Sequence, residues 1–422
     1  MPISKEKNER LTQVGPGTPG GELLRRYWMP ISAVSEMEGR YTKKVRILSE
    51  DLILYKDKTG NYGLVQENCA HRRASLEYGI IEPEGIRCMY HGWLFNEEGR
   101  CLEQPNEPQE KGFKNRVQLK AYPVRELGGL IFAYLGPNPV PELPKFDLFT
   151  RDDVIRTVGA CVVPCNWVQI MENSLDPVHL EWLHGRYFEQ VFEEKGRDVE
   201  DWYFSKHHLK LGFDKFEYGI IKRRLLEGQS EDSDGWKIGH PVIFPNVLRV
   251  GDGAIQTFQI RVPMDDTHTY HIWYSCFVAP EGVEIPEDYP ISYYDVPLKD
   301  ENGKFVVDYI DGQDMMAWVS QGEITDRTIE RLGTTDRGII LYRQMLFEQM
   351  KAVENGEDPM CVFRTTEEAQ NIQMPQEKEI FGSGAALFKA AGEWNTRYAP
   401  NLQEILDLIQ GKKDETKSVA MS

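Results

Sequence analysis

Cys69-Ala-His71 and, after sixteen intervening residues, Cys88-Met-Tyr-His91 are the stretch on which the reading of this chain turns. Each is a clip of one cysteine and one histidine, spaced C-x-H and C-x2-H. Two thiolates and two imidazoles are the ligand set of a 2Fe–2S cluster with the thiolates on one iron and the imidazoles on the other. Replacing two anionic thiolates with neutral imidazoles makes the cluster less negative and a readier electron acceptor. The competing reading is a structural zinc. Zinc sites usually pair cysteines in one clip and histidines in another, whereas each clip here is mixed, so iron–sulfur is preferred.

Working outward, both clips sit at loop positions in a block of short strands from about 43 to 135. Lys44-Val-Arg-Ile-Leu and Leu52-Ile-Leu-Tyr alternate, and Lys58-Thr-Gly-Asn61 reads as a turn into Tyr62-Gly-Leu-Val. Upstream, a turn-rich start leads into a short helix expected over Glu22–Trp28. Downstream, Gly136-Pro-Asn-Pro-Val-Pro-Glu-Leu-Pro144 reads as a linker. Strand-like runs then recur at Glu217–Leu226, Val242–Val250, Ala254–Val262 and Thr269–Val278. The last has large residues on both faces and is expected to be covered on each side. A helical block is expected over about Asp314–Glu354, stopped by Asn355-Gly356.

At 422 residues the chain is too long for one ordinary core, so two or three packed units are expected. Hydrophobic residues make up 41% and aromatics 11%, which argues against disorder. A net charge of -18 and a pI near 5.1 argue against nucleic acid or an anionic membrane as partner. No apolar run approaches the ~18–20 residues that span a bilayer, and the polar N-terminus lacks a signal-peptide stretch. Seven widely spaced cysteines fit reduced thiols and a metal site in a cytoplasmic enzyme better than a disulfide scaffold.

A second metal motif follows the linker: Glu172-Asn173-Ser-Leu-Asp176-Pro-Val-His179-Leu-Glu-Trp-Leu-His184-Gly185. Two histidines with a carboxylate make the 2-His-1-carboxylate set of non-haem Fe(II) oxygenases, which leaves iron positions open for O2 and substrate. The spacing is awkward, since residues five apart on a regular α-helix point about 140° apart. Either the helix is distorted, or His184 lies just past its end with Gly185 as terminator. Asp176 before Pro177 reads first as a helix N-cap.

The run Cys69–Phe95, with Arg72-Arg-Ala-Ser-Leu and Gly92-Trp93-Leu-Phe flanking the clips, closely resembles the Rieske domain of ring-hydroxylating oxygenases. The resemblance spans nearly the whole chain. Gly20–Pro30 and Asp326–Asp336 look like phthalate 4,5-dioxygenase-type oxygenase subunits. Phe244–Gly251 and Arg261–Thr269 look more like the oxygenase components of 5,5'-dehydrodivanillate O-demethylases. The resemblance implies an α+β chain: a small all-β Rieske domain and a catalytic domain built on a helix-covered antiparallel sheet of helix-grip, START-like type. The division expected is a segment 1–42 packing on the catalytic domain, a Rieske domain 43–140, a catalytic domain 141–411 and a disordered tail 412–422.

By the same resemblance, Cys69 and Cys88 hold the inner iron of one Rieske 2Fe–2S cluster, and His71 and His91 the outer one. His179 and His184 hold one mononuclear Fe(II). Asp314, in Gly312-Gln-Asp-Met-Met-Ala-Trp, is the choice for third ligand, with Asp308, Asp311 and Asp326 as competitors. Asp176 matches the aspartate that bridges a cluster histidine of one subunit to an iron-binding histidine of the next, which makes a homotrimer the expected assembly. Asn173 matches a residue near the iron that acts at most through its neighbours.

The resemblance further implies a terminal oxygenase that uses O2 and electrons from an NAD(P)H-dependent reductase, with or without a ferredoxin between. No dinucleotide-binding glycine fingerprint is present in the chain itself. O-demethylation of a methoxylated aromatic acid of lignin-derived type is favoured over cis-dihydroxylation of a phthalate-like carboxylate. A Rieske electron carrier without oxygenase activity is the rival from another class. A substrate carboxylate needs a cation in the pocket, and Arg249, Arg261 and Arg223 are the candidates.

Overall fold

The computed structural model describes residues 2–108, 112–197, 203–251, 253–377, 392 and 394–410. The tail expected to be disordered, 412–422, lies outside the described residues. In the first strand-rich block, Thr42–Ile47, Glu50–Lys56 and Tyr62–Gln66 form an antiparallel meander closed by Ala121–Tyr122. The Asp57 carboxylate builds the turn between the last two long strands by accepting the Thr59 and Asn61 N–H groups at 2.8 and 2.9 Å. A second four-stranded sheet runs through Ile80–Glu82, Gly85–Arg87, Leu94–Phe95 and Cys101–Glu103. Ile53, Tyr55, Val65, Leu76, Ile86 and Phe95 pack with Cys69 and Cys88 in one core, so both clip cysteines are anchored in apolar packing.

The expected helix over Glu22–Trp28 lies earlier, at Pro19–Leu24. Thr18 caps it by accepting the Gly21 N–H at 3.1 Å, and Pro19 takes the first turn, where its missing N–H costs nothing. Trp28 instead opens a strand, Trp28–Ala33, that pairs with Leu130–Tyr134. Strand pairing therefore joins residues 28–33 to the small β unit. The helices Lys5–Thr12 and Pro19–Leu24 lie against Trp167–Ser174 and Arg337–Glu354 of the larger unit.

The larger unit is built on an eight-stranded sheet in the order 208–216, 219–226, 240–243, 247–251, 255–263, 269–278, 154–163, 292–295. Neighbours are antiparallel except the last pair. The expected strand Val242–Val250 is two strands, His240–Ile243 and Val247–Gly251, because Pro245 supplies no N–H to a ladder. Thr269–Val278 is buried along nearly its whole length, as its two large faces require. The expected helical block is two helices, Ile310–Ser320 and Arg337–Glu354, separated at Gly322 (φ +92°). The architecture is α+β, with a helix-covered, mainly antiparallel sheet beside a small β unit.

Buried charge ties the helices together. Glu172 accepts from Arg327 at 2.8 Å and from Arg343 at 2.7 Å, and Arg343 also reaches Glu330. Burial alone raises a carboxyl pKa, but the two guanidiniums hold Glu172 below the usual range. None of the seven cysteines forms a disulfide. Among the described residues, no helix is long and apolar enough to cross a membrane.

Removing one member of such a buried network strands the other charges, at a cost of about 3–5 kcal/mol. Glu172→Ala is expected to lower the thermal midpoint of the large unit in calorimetry while the cluster's visible absorption at 25 °C survives. An unchanged midpoint would mean the arginines find other partners.

Candidate metal centres and cavity

The two clips are the same loop built twice. In the first, the Cys69 N–H donates to Ala74 O at 2.9 Å and the Arg73 N–H to Cys69 O at 3.1 Å. In the second, the Cys88 N–H donates to Trp93 O at 2.8 Å and the Gly92 N–H to Cys88 O at 2.9 Å. Both loops place their fifth residue in the left-handed region, Arg73 at φ +65° and Gly92 at +74°. Each loop thus buries its cysteine and presents its histidine near the surface. The His71 and His91 rings lie 4.5 Å apart, centroid to centroid, and His71 stacks on Trp93 at 4.5 Å and 7°. The Cys69 thiol interacts with that of Cys88, and burial first, then this neighbour, raises its pKa to about 11. Metal binding at this pair therefore releases protons.

The second motif resolves its own spacing problem. Leu180–Tyr187 is a π-helix, whose i→i+5 hydrogen bonds bring residue i+5 beneath residue i. His179 and His184 consequently point to one side, with ring centroids 5.2 Å apart. The terminator role expected of Gly185 is not what the chain does: the π-turn runs through it and on into the helix Phe188–Glu194. Its missing side chain serves packing, since a Cβ there would lie 2.8 Å from Phe204 O and 2.9 Å from Ser205 Cα.

Asp314 enters from the fifth position of the Ile310–Ser320 helix. Its Oδ1 lies 3.2 Å from His184 Nε2 and 3.7 Å from His179 Nε2, and one ligand atom from each residue falls within 4.8 Å of the others. Hydrogen bonds set both tautomers. His184 Nδ1 donates to Gln313 Oε1 at 2.9 Å, and the Gln313 amide is oriented by its donation to Val307 O at 3.0 Å. His179 Nδ1 donates to the Asp176 carbonyl. Each Nε2 lone pair is thereby left for a metal. Burial pushes His179 down to about 4, so it is neutral at pH 7, while at Asp314 burial is outweighed first by His184, whose own pKa Asp314 raises in turn.

The competing carboxylates are engaged elsewhere. Asp308 pairs with Lys195 and Arg397, at 2.6 and 2.9 Å. Asp311 accepts the Asn395 N–H at 2.7 Å, and Asp326 accepts from Thr328 at 2.9 and 2.6 Å. Asp176 accepts the Val178 N–H at 2.9 Å in the manner of a cap, and Asn173 ends the Trp167–Ser174 helix beside the triad.

The triad borders a cavity of about 770 Å³ of empty space, its mouth included. Leu180, Phe204, Leu248, Val250 and Ile310 give it apolar walls, and Asn173 and Asp311 also line it. None of Arg249, Arg261 and Arg223 does. Arg249 is buried against Asp147 at 2.6 Å and Gln256 at 2.6 Å. Arg261 lies fully buried on the sheet, donating to Gln259 O at 2.8 Å. Arg223 faces outward to Asp214 at 2.6 Å. The cations at the cavity are Lys222 and Arg224, which flank Arg223 in sequence. Strand alternation was the signal that could have found them, because 222 and 224 share a face that 223 cannot.

Comparison with known proteins follows the geometry. Residues 27–123 match the Rieske [2Fe-2S] domain, and residues 306–379 match the family described as LigXa C-terminal domain like. The 5,5'-dehydrodivanillate O-demethylase oxygenase subunit of Sphingobium sp. is 41% identical over 376 residues, 88% of this chain and 86% of that protein. This chain belongs to the Rieske non-haem iron oxygenases. The phenoxybenzoate dioxygenase subunit alpha of Ectopseudomonas oleovorans is 33% identical over 84% of this Rieske oxygenase and 87% of its own length. The terminal oxygenase of carbazole 1,9a-dioxygenase from Novosphingobium sp. KA1 shares the fold, with a TM-score of 0.56 at 19% identity over 84% of this chain and 99% of that one.

A Rieske oxygenase carries a 2Fe–2S cluster and a mononuclear Fe(II), and uses O2. The residues of this chain fit both groups. Among the described residues His71 Nδ1 has no hydrogen-bond partner, and Asp314 Oδ1 faces only the two triad imidazoles, as atoms facing a metal should. Gly185→Val is expected to push the π-turn off the 204–205 backbone and spoil the His179–His184 pair. Iron analysis should then fall from about three to about two per chain with the Rieske absorption unchanged; a value still near three would show that the turn tolerates the side chain.

Proposed function

We propose that this Rieske oxygenase is the terminal component of a cytoplasmic multicomponent system that O-demethylates a methoxylated aromatic acid of lignin-derived type. Cys69, His71, Cys88 and His91 are its cluster ligands, and His179, His184 and Asp314 its iron ligands. The observation that carries the reading is the cavity itself: a metal-binding triad, apolar walls and two buried cations around one space. The likeness to a protein named as an O-demethylase oxygenase subunit points the same way.

When bound, the two metal groups supply electron storage and O2 activation. The chain's own residues position the substrate and keep the site dry. Leu180, Phe204, Leu248 and Ile310 give an aromatic ring apolar surface. Overall, one oxygen atom enters a methyl C–H bond and the other leaves as water, using two electrons and two protons. The resulting hemiacetal breaks its C–O bond to give a phenol and formaldehyde. The electrons come from NAD(P)H through a separate reductase, with or without a ferredoxin.

We further propose a homotrimer in which Asp176 lies at the contact between one subunit's clips and the next subunit's triad. Three surface features support this. The Asp176 side chain is 30% exposed although its carbonyl holds His179, the nearby Trp182 is 62% exposed, and the clip tip presents Tyr90 at 53%. An unpartnered tryptophan of this kind fits an interface.

Incubation with a surrogate reductase, NADH and methoxylated benzoates should release formaldehyde and phenol in equal amounts, one of each per O2 consumed. A cis-diol without formaldehyde would favour ring dihydroxylation instead, and electron uptake without any product would favour the carrier. Sedimentation should give three copies, and Asp176→Asn should keep both metal complements while product formation collapses. A stable, fully active monomer would remove Asp176 from this role.

A further inference from the structure

At the cavity, the Gly219–Leu226 strand turns Lys222 and Arg224 inward, and both are almost wholly buried, at 4% and 3% exposed. Neither side chain makes a hydrogen bond or ion pair with a described residue, although both backbones pair in the sheet. Burying a cation without a paired anion is expensive, so two of them side by side in a cavity need an anion to face. One resident anion is close. Glu377 is fully buried, 3.2 Å from His240 Nε2, and His240 sits across the strand pair from Lys222 and also lines the cavity. The Glu377 carboxylate interacts electrostatically with His240, Arg224 and Lys222 together. Lys222 also interacts with Asp176 and Asp314, and burial beside Arg224 lowers its pKa to about 7, so this end of the cavity favours an arriving anion.

We propose that Lys222 and Arg224 form a clamp for one carboxylate of the substrate, and that Glu377, held by His240, is the resident anion that limits the clamp to one. The proposal rests on the aromatic-acid reading above and deepens it. A carboxylate seated between Lys222 and Arg224 gives both side chains the acceptor they lack among the described residues, while a vicinal dicarboxylate brings a second negative charge against Glu377. The clamp therefore selects a ring that carries a lone carboxylate at this end, leaving the rest of the ring to extend along the apolar walls. Phe204, Leu248 and Val250 border that path.

Binding to the metal-loaded enzyme, measured by calorimetry, tests this with 4-methoxybenzoate, its amide and phthalate as probes. The wild-type protein should prefer the acid to the amide by at least tenfold. Lys222→Met and Arg224→Met should each weaken the acid by about 30-fold or more, the loss typical of breaking a buried charge pair, and leave the amide unchanged. Lys222→Arg should restore most of the preference. Glu377→Gln should tighten phthalate about tenfold or more relative to wild type. The clamp is refuted if acid and amide bind alike in the wild type, or if the methionine variants weaken both probes equally. The one-carboxylate limit is refuted if phthalate binding ignores Glu377→Gln. Because these are binding measurements, a missing formaldehyde signal beside an intact acid preference would count against demethylation and leave the clamp standing.

Discussion

Between Leu180 and Tyr187 the backbone bonds to the fifth residue rather than the fourth, and the position of His184 depends on it. In a regular α-helix the two histidines would diverge by about 140° and could not share a metal. The widened turn costs hydrogen-bond geometry, so the surroundings have to hold it. Glu181, within the turn, accepts the His208 N–H at 3.0 Å and lies 3.0 Å from the His207 ring, pinning the turn to the sheet edge. Gly185 lets the 203–205 segment close over the turn. From the opposite side, Gln313 fixes the His184 ring one residue before Asp314 delivers its carboxylate. Two neighbouring residues of one helix thus set the tautomer and complete the triad.

Charge is distributed in the cavity with the same economy. The triad contributes an ionised carboxylate and a neutral His179, a donor set suited to a divalent iron. The Gly219–Leu226 strand contributes the buried Lys222 and Arg224. Lys222 lies within electrostatic reach of Asp314 and His179, so the two kinds of group act on one low-dielectric space. A substrate with a charged end and an uncharged reacting end is oriented by this arrangement before any chemistry begins. The small β unit carries its two Cys–His clips in loops whose cysteines are core residues and whose histidines lie near the surface.

Much of this was legible in the residues, for identifiable reasons. The clips are legible because mixed Cys–His spacing is chemically narrow. Alternating strands and a later helical block are legible from periodicity, while the α+β architecture with its helix-covered sheet comes from the resemblance. The conflict at His179 and His184 is legible as a conflict; only the structure shows that a π-turn removes it, because no side-chain pattern encodes i→i+5 bonding. Strand edges were harder. Pro245 splits one expected strand in two, and Trp28 reads equally well as a helix end or a strand start until Leu130–Tyr134 pairs with it. The cavity cations were overlooked in favour of Arg223, Arg249 and Arg261. Strand parity distinguishes 222 and 224 from 223, but long-range partners such as Asp147 and Asp214 are invisible in sequence.

The central claim is that one cavity joins an iron triad to a carboxylate clamp. Iron-edge anomalous diffraction from crystals of the loaded enzyme, soaked without oxygen in a methoxylated benzoate, tests it most directly. The account predicts three iron peaks per chain, one of them among His179 Nε2, His184 Nε2 and Asp314 Oδ1, with the ligand's carboxylate between Lys222 and Arg224 and its methoxy group toward that iron. A third iron held by other residues, or a ligand lying with its carboxylate at the triad, would contradict it.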